Sequence, residues 1–272
     1  MAALQTSVGA SGNLMNLLRQ TIGLMLLLAV PSLAQSSKDS GPYQKDATIS
    51  ETKDTVHVVA NSPRPLEQVL EALQHKYGWV VNYEDPQYTA PQDVVNAPGS
   101  SNLRYPSGGT FTVDFPAVKP DEGKTLQLIV DGYNHSKNPG QFELRRGPEN
   151  RFDVVGVAAH DEKGAMSKQS PPLDTPVTIK ADDRSLNQML DSLCQEVTKQ
   201  SHVEVDLAVS PRSLLGKTDA KIGGDKVPAR EILAQTIDAT HHTLYWQLLY
   251  DPTNKVYFLN IHSVHVPSEA AH

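Results

Sequence analysis

Two stretches of the 272-residue chain end as a phosphate-binding loop does, Gly123-Lys124-Thr125 and Gly216-Lys217-Thr218. Such a loop also needs a glycine upstream, so that its backbone N–H groups can close around phosphate oxygens. Those positions hold Val118 and Pro211, and phosphate chemistry is not expected from either stretch. Ser50-Glu51-Thr52-Lys53 has the Ser-x-x-Lys spacing of penicillin-binding enzymes. It precedes the first predicted strand instead of riding on a helix, and no Ser-Asp-Asn or Lys-Thr-Gly follows. Gly-x-Ser-x-Gly does not occur. The single cysteine, Cys194, falls on the apolar face of a predicted helix, where a thiol is inert.

The ten histidines raise the question of a metal. There is no His-Glu-x-x-His and no cysteine pair, whereas zinc asks for three or four convergent ligands. His262 and His265, three apart on an expected strand, would face opposite ways. Paired carboxylates occur at Glu84-Asp85, Asp121-Glu122, Asp161-Glu162 and Asp182-Asp183. Their predicted places are turns and helix starts, where a carboxylate accepts unpaired backbone N–H groups. The expected set is therefore no catalytic residue, no cofactor and no metal. The best candidate for a functional surface is Tyr83-Glu84-Asp85-Pro86-Gln87-Tyr88 with the long loop after it. There Tyr83, Tyr88 and Tyr105 offer the kind of side chain that interfaces favour.

Composition narrows the class. Hydrophobic residues make up 39% and charged residues 20%, with a net charge of -7. That is a globular balance, without the basic surface that nucleic acid requires. Residues 1–20 hold one charged side chain, Arg19, and Thr21 to Ala34 are almost wholly apolar. The run is shorter than the roughly 18–20 residues that cross a bilayer. It ends in Pro31-Ser32-Leu33-Ala34-Gln35, with small residues placed for a cut after Ala34. This order predicts a cleavable signal peptide over 1–34, an uncleaved anchor being the alternative. Periplasmic or secreted localisation follows, with no membrane span after cleavage.

The elements that must position any site follow from the periodicities. The sequence predicts a flexible leader over 35–50 and a first module over 51–159 with a long loop at 85–109. A linker over 160–176, a second module over 177–265 and a tail over 266–272 follow. In the first module, Val56 to Ala60 alternate as a strand. Pro63-Arg64-Pro65 opens a helix with Leu66, Val69, Leu70, Leu73 and Tyr77 on one face, and Gly78 stops it. Trp79–Tyr83 and Phe111–Phe115 read as strands. A helix from Lys124 carries Leu126, Ile129, Val130 and Tyr133, and strands at 141–145 and 151–158 close the unit. The second half repeats the order. It has a strand at 177–179, then a helix with Leu186, Met189, Leu190, Leu193, Cys194 and Val197. Strands follow at 203–207 and 220–222, then a helix opened by Pro228 and a hairpin over 244–261. The fold class is α+β, in two tandem modules of strand-helix-strand-strand-helix-hairpin type.

The halves also match in residues. Arg64-x-Leu66-x-Gln68-x-Leu70-x-x-Leu73 corresponds to Arg184-x-Leu186-x-Gln188-x-Leu190-x-x-Leu193 at one constant offset, which suggests a duplication. The helix opening at Arg184, the strand Val203-Glu204-Val205, Val227-Pro228-Ala229-Arg230-Glu231-Ile232-Leu233 and Leu244-Tyr245-Trp246 resemble the short N-terminal (STN) periplasmic domain of secretins and TonB-dependent receptors. The likeness covers about 177–262 and, more faintly, 54–158. It rests on core positions and transfers no catalytic residue, and no barrel or secretin ring domain follows. The family implies a small fold of two helices on small sheets and a docking role in the envelope. The expectation is an exported, non-enzymatic protein that docks an envelope protein, with the hairpin over 244–261 as a candidate edge for strand addition. The alternatives are a periplasmic hydrolase of cell-wall or polysaccharide material, which would need carboxyls facing each other in a groove, and a small-ligand or metal carrier. Partner identity and oligomeric state are not written in the sequence.

Overall fold

Each long helix starts and stops where the local chemistry provides for it. The computed structural model describes residues 47–100, 102–147 and 151–264. The expected signal peptide, most of the leader and the 266–272 tail lie outside the described residues. In the first half, strands β1 (Thr48–Glu51) and β2 (Thr55–Ala60) lead into α1 (Pro65–Tyr77), which has proline in its first turn and Gly78 at φ 71° as its C-cap. Strand β3 (Val81–Glu84), the short strands β4 (Val94–Asn96) and β5 (Arg104–Pro106), and β6 (Phe111–Pro116) follow. Helix α2 (Glu122–Asn134) is capped by Asp121, whose carboxylate accepts the Lys124 N–H. Strands β7 (Gln141–Arg146) and β8 (Phe152–His160) close this half.

A short β9 (Met166–Lys168) leads to β10 (Pro176–Ser185), α3 (Leu186–Ser201), β11 (Glu204–Val209) and a one-turn α4 (Arg212–Leu215). Then come β12 (Asp219–Pro228), α5 (Ala229–Asp238), β13 (Leu244–Asp251) and β14 (Val256–Ser263). Ser185 caps α3 through a full capping box with Gln188. Asp182 and Asp183 instead belong to β10.

The architecture is α+β. The strands of the two halves form one seven-stranded mixed sheet in the order β11-β14-β13-β3-β8-β7, with β9 beside β8. Two small sheets flank it, β1-β2-β6 and β10-β12, and β4 pairs with β5. Within each half the pattern is the same. β3 runs parallel to β8, and β8 antiparallel to β7; β11 runs parallel to β14, and β14 antiparallel to β13. The halves meet where β13 lies parallel to β3, Gln247 opposite Tyr83 and Leu248 opposite Glu84.

Strand alternation then sorts the two cores onto opposite faces. Val81, Tyr83, Phe152 and Val154 join the residues of α1 and α2. Trp246, Leu248, Tyr250, Tyr257, Leu259 and Ile261 join those of α3 and α5. The described residues all belong to one compact unit, Ser40–His272.

Three loop expectations are corrected by this arrangement. The end of the leader is a strand, because Thr48–Glu51 supply the backbone partners that the edge of β2 needs. The 85–109 loop is not a loose insertion. It carries β4 and β5 and buries Tyr88, Ala90, Val94 and Ala97. The 160–176 segment is no free linker either, since β9 extends the sheet and Leu173 is buried in the second core. The hairpin over 244–261 is not an edge, because β13 is already paired with β3.

One contact across the fold depends on a glycine. A Cβ on Gly156 in β8 would lie 2.2 Å from the Pro86 nitrogen and 2.8 Å from the Asp85 carbonyl carbon. Gly156→Ala is expected to cost about 1–3 kcal/mol by forcing backbone apart. The check is a lower urea midpoint at unchanged slope.

Candidate functional site

The two-residue ladder between β13 and β3 is too short to hold the halves by backbone alone, and polar side chains reinforce it on both faces. On the α1 side, Asp85 is fully buried. Its carboxylate accepts Arg64 Nε at 2.6 Å, the Tyr83 hydroxyl at 2.8 Å and the Tyr250 N–H at 3.0 Å. The same guanidinium donates to the Tyr250 carbonyl at 2.6 Å, and the Tyr257 hydroxyl donates to the Asp85 carbonyl. Arg64 adopts φ 52°, a left-handed conformation rare outside glycine, and its side chain is tied at both ends. Burial works against the Arg64 charge, but Asp85 outweighs it and holds the guanidinium above its ordinary range. Burial keeps the Tyr83, Tyr88 and Tyr257 phenols well above theirs.

On the α5 side, Arg230 comes from the first turn of α5 and reaches three carboxylates. It pairs with Glu84, meets Asp153 at 3.3 Å and meets Asp174 at 3.1 Å. Its guanidinium carbon lies 5.3 Å from the centre of the Trp246 ring. Glu84 is 0% exposed, and its other oxygen accepts the Leu173 N–H at 3.1 Å. Burial pushes the Glu84 carboxyl above its usual range, opposed by Arg230. Arg230 is itself held high: burial disfavours its charge, and Glu84 followed by Asp153 more than compensates. Asn82 completes the cluster, its Nδ2 donating to Asp153 at 2.8 Å and its Oδ1 accepting the Trp246 N–H at 2.9 Å.

Beside this cluster lies a cleft of about 340 Å³ between α5 and the β7–β8 end of the sheet. Trp246, Leu244, Ile237 and Ala234 form its apolar part, and Arg145, Arg146 and Arg151 stand at its rim. The charges are engaged with one another. Arg145 bonds both oxygens of Asp174 at 2.7 Å and Glu143 at 2.5 Å, and Arg151 pairs with Asp238. Among the described residues no serine, threonine, cysteine or histidine lines the cleft. The arrangement is suited to recognising an apolar group, and its lining holds no nucleophile with an adjacent base.

The tyrosines expected to face a partner do not form a surface. Tyr83 and Tyr88 are each 2% exposed, because β3 turns Tyr83 into the first core and Tyr88 lies in the second. Tyr105 alone remains half-buried, beside Leu103 and Phe258 in a shallow groove. Glu84-Asp85 is likewise no solvated turn; it is the most buried carboxylate pair in the fold. Asp161 does brace a turn, accepting the Lys163 and Ala165 N–H groups.

Cys194 is buried, and burial lifts its thiol to about 12. His262 stacks on Tyr245 at 5.2 Å, with its pKa lowered by burial, and His265 lies outside the described residues. His160 and Asp93 form a pair at 2.7 Å away from the cleft, in which Asp93 also accepts the His160 N–H. Among the described residues no group of three or more His, Cys, Asp or Glu is placed to hold a metal ion. No helix of the described residues is long and apolar enough to cross a membrane.

Sequence reasoning missed Arg64, Arg230, Asp153, Asp174 and Arg145. The available signal was slight: an arginine at the start of a helix in each half, and an acidic pair directly after a hydrophobic strand. No family model, curated protein or solved structure matches the chain.

Proposed function

We propose that this chain is an exported, non-enzymatic docking protein that takes an extended segment of a partner along β7 and seats one of its side chains in the cleft under α5. The observation that carries the reading is the placement of the cleft. Its wall is formed by the end of β7, which is an edge strand of the large sheet. An added strand gains backbone hydrogen bonds from such an edge, and a neighbouring pocket gives it specificity. The apolar floor suits an aliphatic or aromatic side chain. Mutual ion pairing of the lining charges speaks against a hydrolase. Export rests on the order of residues 1–34, and an envelope setting on the resemblance to the short N-terminal domain of secretins and TonB-dependent receptors.

The test is site-specific crosslinking in cells. A photo-crosslinking residue in place of Glu143, exposed on β7, is expected to give one dominant adduct. Ala234→Trp, which fills the cleft, should cut that adduct by about tenfold or more, a loss of about 1.4 kcal/mol or more in binding. The same crosslinker in place of Ser50 on β1 is the control. No adduct at Glu143, or one that Ala234→Trp leaves intact, overturns the reading.

A further inference from the structure

The contact between the halves is one-sided in a way that leaves its two surfaces available again at the ends of the sheet. Strand β13 presents one edge and β3 the other. By strand order and direction, β7 holds in the first half the place that β13 holds in the second, and β11 holds the place of β3. The helices of the halves lie on opposite faces, and corresponding strands run in opposite senses. The halves are thus related by a half-turn about an axis across the strands, plus a shift along it. A contact of this kind does not close on itself, so the molecule ends in a second β13-type edge, β7, and a second β3-type edge, β11.

We infer that copies of this chain join head to tail, β7 of one lying parallel to β11 of the next. This deepens the reading of β7 as a docking edge and names its occupant as a second copy. The register follows from the inner join. Leu144 pairs with Val154 as Leu248 pairs with Leu259. The register shift in β11 brings Val209 to the place of Glu84. At the inner join Leu248 meets Glu84, so between copies Leu144 meets Val209. Val209 is 51% exposed, a large apolar side chain on an edge strand with nothing in the described chain to cover it.

Asn134 bonds the backbone of Phe142 at 2.7 and 2.9 Å, much as Asn82 bonds the N–H of Trp246, so pairing runs over Leu144–Arg146. That stretch is nearly as short as the inner ladder. β11 carries exposed Glu204 and Asp206. Two β11 edges repel.

The test is sedimentation of the exported chain over a wide concentration range. The wild type is expected to rise past twice the protomer mass without a plateau. Val209→Lys blocks β11 at an exposed position, and Leu144→Pro blocks β7 where the N–H faces outward. Each variant alone is expected to be monomeric with an unchanged circular dichroism spectrum. Mixing the two leaves one intact β7 and one intact β11, and should give a dimer that grows no further. If Leu144→Pro misfolds, a photo-crosslinking residue in place of Leu144 replaces it, with Val209 of a second copy as the expected site of the adduct. A wild type that stays monomeric throughout, or a mixture that fails to dimerise, overturns the inference. If the Glu143 crosslinker at the same time captures a different protein in an Ala234→Trp-sensitive way, the docking reading stands and only self-assembly falls.

Discussion

Replacing Arg230 with methionine is expected to destabilise the fold by about 3–5 kcal/mol, the cost of removing one partner from a buried ion cluster. Methionine keeps much of the apolar stem and deletes the charge. What it leaves behind decides the size of the effect. Glu84 is 0% exposed and would retain only the Leu173 N–H, while Asp153 would retain Asn82. The buried Glu84 carboxyl must then take up a proton or remain an uncompensated charge. Arg230→Lys should recover only part of the loss, since a point ammonium does not reproduce a planar fork that spans three carboxylates.

The decisive arm is the pair of changes. Glu84→Gln in the Arg230→Met background keeps the bond from Leu173 and removes the orphaned charge, so it is expected to restore about half of the lost stability or more. Urea unfolding of the four proteins checks this. A loss below about 1 kcal/mol for Arg230→Met would show the cluster to be incidental. A second loss on adding Glu84→Gln would remove the charge argument.

The helices were legible because their information is local. Leu66, Val69, Leu70 and Leu73 fall on one face by spacing alone, and Gly78 stops the helix at an angle glycine adopts easily. The same holds for α3 and for α5. The strands β10 and β12 extend well beyond the few residues expected of them. They pair mainly with each other, and much of both is exposed, so their outer residues carry no alternation to read. The 85–109 and 160–176 segments looked like loops by composition, and composition does not register that Leu173 caps a carboxylate 89 positions away.

The joining of the halves into one sheet was not legible at all. It depends on which edge of one module meets which edge of the other, and nothing in either module's own periodicity specifies that. The site inherits this blindness. Glu84 and Arg230 are separated by 146 positions and become partners only once β13 lies beside β3. An acidic pair at the end of a strand reads as a turn unless the strand beyond it is known. Tyr83 and Tyr88 were misplaced for the same reason, since the surface that covers them comes from elsewhere in the fold.

The stability of the chain is expected to fall as pH rises from about 5 to 8, and Glu67 is the main source of that slope. Glu67 lies on α1, buried over the sheet, where its carboxyl accepts Gln247 Nε2 at 2.6 Å. Burial, followed by the nearby Glu71, lifts it to about 8 from the ordinary 4.5, and Arg64 offsets only part of this. The folded state therefore holds a proton through a window in which the unfolded chain has released it. The associated stability is complete below about 4.5 and is lost as pH passes through about 8. At about 1.4 kcal/mol per pH unit, less what local relaxation recovers, the loss is on the order of 2–4 kcal/mol. For a chain of this size that is roughly 5–15 °C in Tm.

Glu67→Gln keeps an acceptor for Gln247 and cannot titrate. It should match the wild type near pH 5 and exceed it by most of that interval at pH 9. Glu84, also raised, and Glu122, raised to about 7, tilt both curves alike, so the difference between the two proteins isolates Glu67. Parallel curves from pH 5 to 9 would mean that water or a rearranged Gln247 already solvates the carboxylate.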